Sequence, residues 1–131
     1  MRFVLHHHTG WPRRSDHYDL MLEKGASPAG GSPDSRPLFT LATEADKMPA
    51  RGVLLRRIGD HRAEYLTFEG EVSGGRGRVS RVDAGELAWL SSTDDPTEEL
   101  RFRLDGKRLK GEFVLRPAGD GAFEMVRLPE R

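Results

Sequence analysis

RFVLHHHTGWPRRSDHYDLMLE, residues 2–23, reads as two short strands joined by a turn-rich loop. Apolar and polar residues alternate with period two on both sides of that loop. This is the spacing of strands whose successive side chains point to opposite faces. Over 2–8, Phe3 and Leu5 share one face, and Val4, His6 and His8 share the other. Over 17–23, Tyr18, Leu20 and Leu22 lie opposite His17, Asp19 and Met21. Gly10 and Pro12 mark 9–16 as the connection. If the two strands pair through it, imidazoles and a carboxylate meet on one side of a hairpin.

The rest of the chain extends this β pattern. Strands are expected over 37–43, 52–58, 65–72, 78–82, 86–90, 100–104, 108–115 and 122–128, with Ala84-Gly85 as a turn between two of them. Asp105-Gly106 is a hairpin signal, because both residues tolerate positive φ. Gly74, Gly75 and Gly77 suggest a tight barrel corner rather than a phosphate cradle, since no Walker or GxGxxG pattern surrounds them. Residues 24–37, KGASPAGGSPDSRP, are expected to form a flexible surface loop. Only 43–47 and 96–99 look helical, and both are short. Many short strands with close turn signals predict an all-β fold: a compact, closed or nearly closed antiparallel barrel with short or no helices, spanning 1–131 as one domain.

Composition narrows the function classes. The chain has 131 residues, 32% of them charged and 36% hydrophobic, as suits a globular protein able to bury a modest core. Cysteine is absent, which excludes disulfides, thiolate metal sites and a cysteine nucleophile. No apolar run is long enough for a secretory signal or a bilayer span, so a cytoplasmic protein without a membrane partner is expected. Formal net charge is zero. A neutral total can still hide a basic face, and arginines recur at 13, 14, 56, 57, 62, 76, 78 and 81.

His8, His17 and Asp19 carry the sharpest chemistry. Two histidines and one carboxylate with open positions form a facial site for a first-row divalent metal, and an open position lets a catalytic ion meet substrate. Solvated histidines on an exposed strand are the plainer alternative. Asp60-His61 and Tyr65 are a second polar group, or else a polar turn and a barrel tyrosine. Trp11 could stack on a base or anchor its loop, and Arg13 and Arg14 could guide a nucleic-acid backbone but read more simply as loop charges. Trp89 and Phe113 fall in strand patterns and are expected in the core.

The segments FVLHHH, HYDLMLE, DHRAEYLTFEG, GRGRVSRVDAG and LRFRLDGKRLKGEFVLRP, in this order, resemble the 3′-phosphoesterase domain of bacterial DNA ligase D and its short stand-alone relatives. The resemblance implies a β-barrel with a surface groove and manganese-dependent trimming of nucleic-acid 3′ ends. Such trimming removes a terminal ribonucleoside or a 3′-phosphate. It makes His8, His17 and Asp19 the metal ligands, with manganese expected and zinc or cobalt as alternatives. It makes His61 and Tyr65 the catalytic contacts to the scissile phosphate and puts His6 where the family commonly carries a glutamine near that phosphate. Arg56, Arg57, Arg62 and Arg76 are the candidates for further phosphate binding. DNA or RNA 3′ ends are the expected partners, with a separate DNA ligase or polymerase as a candidate. The chain departs from the pattern at Leu20 and Met21, where the family has an aromatic residue and an arginine. It also has a longer loop between His8 and His17 and lacks the Trp-x-x-Pro-Lys-Gly segment, near whose place LFTLATE stands. A binding module that keeps the pocket without catalysis, or an unrelated facial-triad metalloenzyme, are the competing readings.

Overall fold

The computed structural model describes residues 1–24, 37–44, 52–91 and 98–129. The strands are β1 (Arg2–Thr9), β2 (His17–Glu23), β3 (Leu38–Thr43), β4 (Val53–His61), β5 (Gly70–Glu71), β6 (Arg78–Trp89), β7 (Leu100–Asp105), β8 (Lys110–Gly119) and β9 (Ala122–Arg127). All pairings are antiparallel and run β1-β2-β3-β4-β9-β8-β7-β6, and β6 pairs back onto β1. Eight strands therefore close a barrel, and the two-residue β5 adds to one half of β6. Closure leaves no unpaired edge among those eight. Among the described residues, no helix is long and apolar enough to cross a membrane.

Alternate residues of the strands fill the barrel. Phe3, Leu5, Leu20, Leu22, Phe39, Leu41, Leu55, Phe102, Phe113 and Leu115 belong to one buried cluster, with Trp89 packed against it. Each large apolar side chain removed from water in this way contributes roughly 1.5–3 kcal/mol. The opposite face of β1 and β2 carries a smaller cluster, Val4, Met21, Leu38 and Leu66, lying outside the barrel interior. The His-rich strand is thus two-sided, with hydrocarbon inward and chemistry outward.

Four expectations need correction. Residues 65–72 are not a strand. Ala63–Leu66 form a 3₁₀ turn, with Tyr65 N–H donating to the Arg62 carbonyl (3.1 Å) and Thr67 N–H to that of Glu64 (3.3 Å), and only Gly70–Glu71 is extended. Leu66 drives this turn by burying in the outer cluster. Ala84-Gly85 is not a turn either, because β6 runs straight through it. Gly85 serves close packing there: a Cβ would lie 2.1 Å from the Asp105 carbonyl oxygen. No helix starts at Thr43, which ends β3, and Glu98 and Glu99 are not helical; 45–47, 96 and 97 lie outside the described residues, as do 25–36 of the Gly/Ser/Pro-rich loop. The fourth correction concerns the β7–β8 hairpin, which turns over residues 106–109 rather than as a tight pair at Asp105-Gly106.

That hairpin is locked by Asp83 of β6. Its carboxylate accepts N–H bonds from Lys107 (2.9 Å), Arg108 (3.0 Å) and Leu109 (2.7 Å), a nest of successive donors around an anion. Burial raises the Asp83 pKa, but the bonds from Leu109, Lys107, Arg108 and Ala84 outweigh it and hold the carboxyl below its usual 3.8. A depressed folded value means that the stabilisation is present above the unfolded pKa and is lost as pH falls through the folded one. Asp83→Asn is expected to lose about 1–3 kcal/mol at pH 7. Urea melts from pH 7 to 3 check this, and the deficit should shrink on acidification below about pH 4.

β6 also positions the site. The register of β1 against β6 shifts between Leu5 and His6, so Val82 is an extra residue on β6. A bulge exchanges the faces beyond it. Val79 and Arg81, paired with His8 and His6, therefore join Ala84, paired with Val4, on the outer face.

Candidate metal centre and phosphate cavity

The pairing His8↔His17 and His6↔Asp19 brings the outward side chains of β1 and β2 together. His17 Nε2 lies 3.3 Å and His8 Nδ1 3.8 Å from Asp19 Oδ2, and all three ligand atoms fall within 4.8 Å of one another. All three residues are buried.

The other ring nitrogens decide the tautomers. His8 Nε2–H donates to the Arg76 carbonyl (2.5 Å), and His17 Nδ1–H donates to that of Ser15 (2.9 Å). A carbonyl only accepts, so each neutral ring turns a lone pair toward the Asp19 carboxylate. Two lone pairs facing a carboxylate repel one another unless a cation lies between them. Backbone carbonyls that fix ring orientation are the usual outer shell of a metal-bound histidine. Trp11 adds a stacking contact on His8, with centroids 5.4 Å apart and planes at 22°.

The residues fit a divalent ion. Two ligand atoms each about 2.1 Å from one ion are at most about 4.2 Å apart; both separations to Asp19 satisfy this, and a small inward shift within the 4.8 Å span of the three atoms suffices for the set. His17 Nε2 and Asp19 Oδ1 are buried with no hydrogen-bond partner among the described residues. Burial would raise the Asp19 pKa, but hydrogen bonds from His17 and His8, made when the facing ring nitrogens carry a proton in place of an ion, hold the carboxyl far below its ordinary value. The carboxylate in turn raises His8, ahead of the opposing effect of burial. Two nitrogens and one oxygen suit zinc, manganese, iron or cobalt rather than calcium, and three ligands leave positions open.

These ligands line a cavity of about 640 Å³ that also contains His6, His61, Tyr65 and Met21. His6 is fully buried and both its ring nitrogens lack a partner among the described residues; burial lowers its pKa to about 4, so the ring is neutral at physiological pH. His61 ends β4, and Thr40 fixes its ring. The Thr40 hydroxyl spends its one hydrogen on the Leu38 carbonyl (2.9 Å), so it accepts from His61 Nδ1–H (2.9 Å). The 3₁₀ turn sets Tyr65 edge-on to His61, with centroids 5.3 Å apart.

The arginines divide. Arg62 and Arg76 line the cavity as expected. Arg62 lies 4.0 Å from Glu64, and the Arg76 guanidinium donates to the Ser73 carbonyl (2.8 Å) and hydroxyl (3.2 Å). Arg57 does not line it: the side chain sits over the Phe39 ring (4.8 Å) and pairs with Asp60 (3.7 Å). Arg56 lies outside as well, in an adjoining cleft, and donates to the Asp120 carbonyl (2.6 Å). Arg14, read from sequence as a plain loop charge, lines both spaces. Thr40 is a residue that sequence reasoning missed; it sits on the same strand face as Leu38, a position the alternation in LFTLATE exposes.

Comparison with known proteins shows the family. The family described as the DNA ligase D 3′-phosphoesterase domain matches residues 6–116. The chain is 32% identical over 124 residues to the multifunctional non-homologous end joining protein LigD of Mycobacterium bovis. Identity is the same to the multifunctional non-homologous end joining DNA repair protein LigD of Mycobacterium tuberculosis. Each alignment covers 90% of this chain but 15% of the relative, so the chain corresponds to a small part of those proteins.

Proposed function

Because the chain belongs to the DNA ligase D 3′-phosphoesterase domain family, we propose that it hydrolyses phosphoesters at nucleic-acid 3′ ends using a divalent metal, manganese first among the candidates. His8, His17 and Asp19 hold the ion. The observation that carries this reading is the pair of carbonyl-locked imidazoles turning lone pairs onto one buried carboxylate. When bound, the cation supplies Lewis-acid charge against the phosphate.

The chain's own residues do the rest. Hydrolysis forms a bond from a water oxygen to phosphorus, breaks the bond to the leaving oxygen and returns a proton to that oxygen. His61 is placed to give that proton from Nε2, with its Nδ1–H anchored on Thr40. Tyr65 offers a phenolic hydrogen bond to the phosphate from beside His61. His6 acts as a neutral N–H donor, because a group with a pKa near 4 carries no charge at pH 7. A separate ligase or polymerase would receive the trimmed 3′-hydroxyl.

One observation favours a second reading, an end-binding module without turnover. Met21 lines the cavity and is almost fully buried. A thioether cannot clamp a phosphate. Purified protein with manganese, given a primer ending in one 3′-ribonucleotide or in a 3′-phosphate, separates the two. Metal-dependent trimming stopped by chelator is the expected result. Binding without trimming across manganese, zinc and cobalt would establish the module instead.

A further inference from the structure

We propose that the cleft beside the metal centre, lined by both Arg14 and Arg56, holds the last internucleotide phosphate of the strand whose 3′ end occupies the main cavity. This rests on the end-processing reading and adds a strand path to it.

The two spaces are neighbours that share residues. The cleft, about 300 Å³, is lined by Arg14, His17, Thr43, Glu44, Leu54 and Arg56, among others. Arg14 and His17 also line the main cavity, so a chain leaving the metal centre on that side meets the cleft next. Its chemistry suits a nucleotide linkage. Guanidinium groups match phosphate oxygens in a bidentate way, and Leu54, 58% exposed, gives an apolar surface for the flat side of a sugar or base. Glu44 is the one carboxylate among the lining residues, and its Oε1 accepts the Ser15 hydroxyl (2.7 Å).

Pairing singles out Arg14. Of the three arginines lining the main cavity, Arg76 is tied to Ser73 and Arg62 approaches Glu64. Arg14 pairs with no carboxylate among the described residues. It is half-buried on a loop braced at its backbone, where Arg14 N–H donates to the Trp11 carbonyl (3.1 Å). Arg56 is held in place through one nitrogen, Nη1, on the Asp120 carbonyl, which leaves the rest of its fork for a ligand.

A fluorescein-labelled single-stranded primer with a 3′-phosphate, titrated in chelator so that no turnover intervenes, tests this. A matched primer carries an uncharged methylphosphonate at the last internucleotide linkage. Arg14→Ala is expected to weaken binding of the natural primer about tenfold and to lower the slope of log affinity against log salt by about 0.7. Arg56→Ala should act in the same direction. Neither substitution should matter for the methylphosphonate primer, to which the unaltered protein binds about as weakly as Arg14→Ala binds the natural one. Equal losses on both primers, or none on either, would overturn the cleft while leaving the end-processing reading intact. An unaltered protein that binds neither primer, in chelator or with manganese, would remove both.

Discussion

Asp19→Ala is expected to abolish divalent-metal binding and 3′-end trimming together while the barrel stays folded. The carboxylate is the one anion between His8 Nδ1 and His17 Nε2, so its removal leaves two neutral donors that hold an ion weakly. A Lewis acid is worth several kcal/mol at a phosphoryl oxygen, and tenfold in rate corresponds to about 1.4 kcal/mol, so trimming should fall by roughly 10³-fold or more. Fold should survive because Asp19 points away from the barrel interior, and Leu20 and Leu22 on the inward face stay in place. Calorimetric titration with manganese, far-ultraviolet dichroism and the primer assay give the three readouts. Unchanged manganese affinity in Asp19→Ala would refute the ligand set. Acid should mimic the substitution: Asp19 raises the His8 pKa, and metal binding requires the deprotonated ring, so affinity should drop as pH falls through that raised value.

His61→Ala should behave differently, losing about 10²–10⁴-fold in turnover while keeping metal affinity. The ring lines the same cavity as the ligands but takes its orientation from Thr40 rather than from the ion. Thr40→Val removes that anchor without touching the phosphate. It should lower kcat more than it changes KM, and Thr40→Ser should restore it. A His61→Ala protein as fast as the parent would refute the proton-donor role. Loss of manganese from the same variant would show that His61 belongs to the metal site.

Much of this is legible in the sequence. Strict alternation in β1 and β2 was enough to put His6 and His8 opposite Phe3 and Leu5, and His17 and Asp19 opposite Leu20, because a strand has only two faces. What failed were places where tertiary contact overrides local pattern. Tyr65 and Leu66 look like strand residues, yet burying Leu66 against Val4, Met21 and Leu38 favours a turn. Gly85 looks like a corner, yet it is small because Asp105 passes close by. Arg56 and Arg57 share a strand with His61, but the Asp120 carbonyl holds Arg56, and the Phe39 ring with Asp60 holds Arg57, away from the cavity. No spacing rule could have revealed the carbonyls of Ser15 and Arg76 that set the histidine tautomers, since backbone acceptors leave no mark on residue identity.

The strand carrying His6 and His8 separates two kinds of duty residue by residue: odd positions 3 and 5 keep the molecule together, and even positions 6 and 8 handle the ion and its surroundings. Few side chains answer to both demands. The ligand trio is therefore open to redesign, for instance toward a softer or harder donor set, with little penalty to how the polypeptide holds its shape.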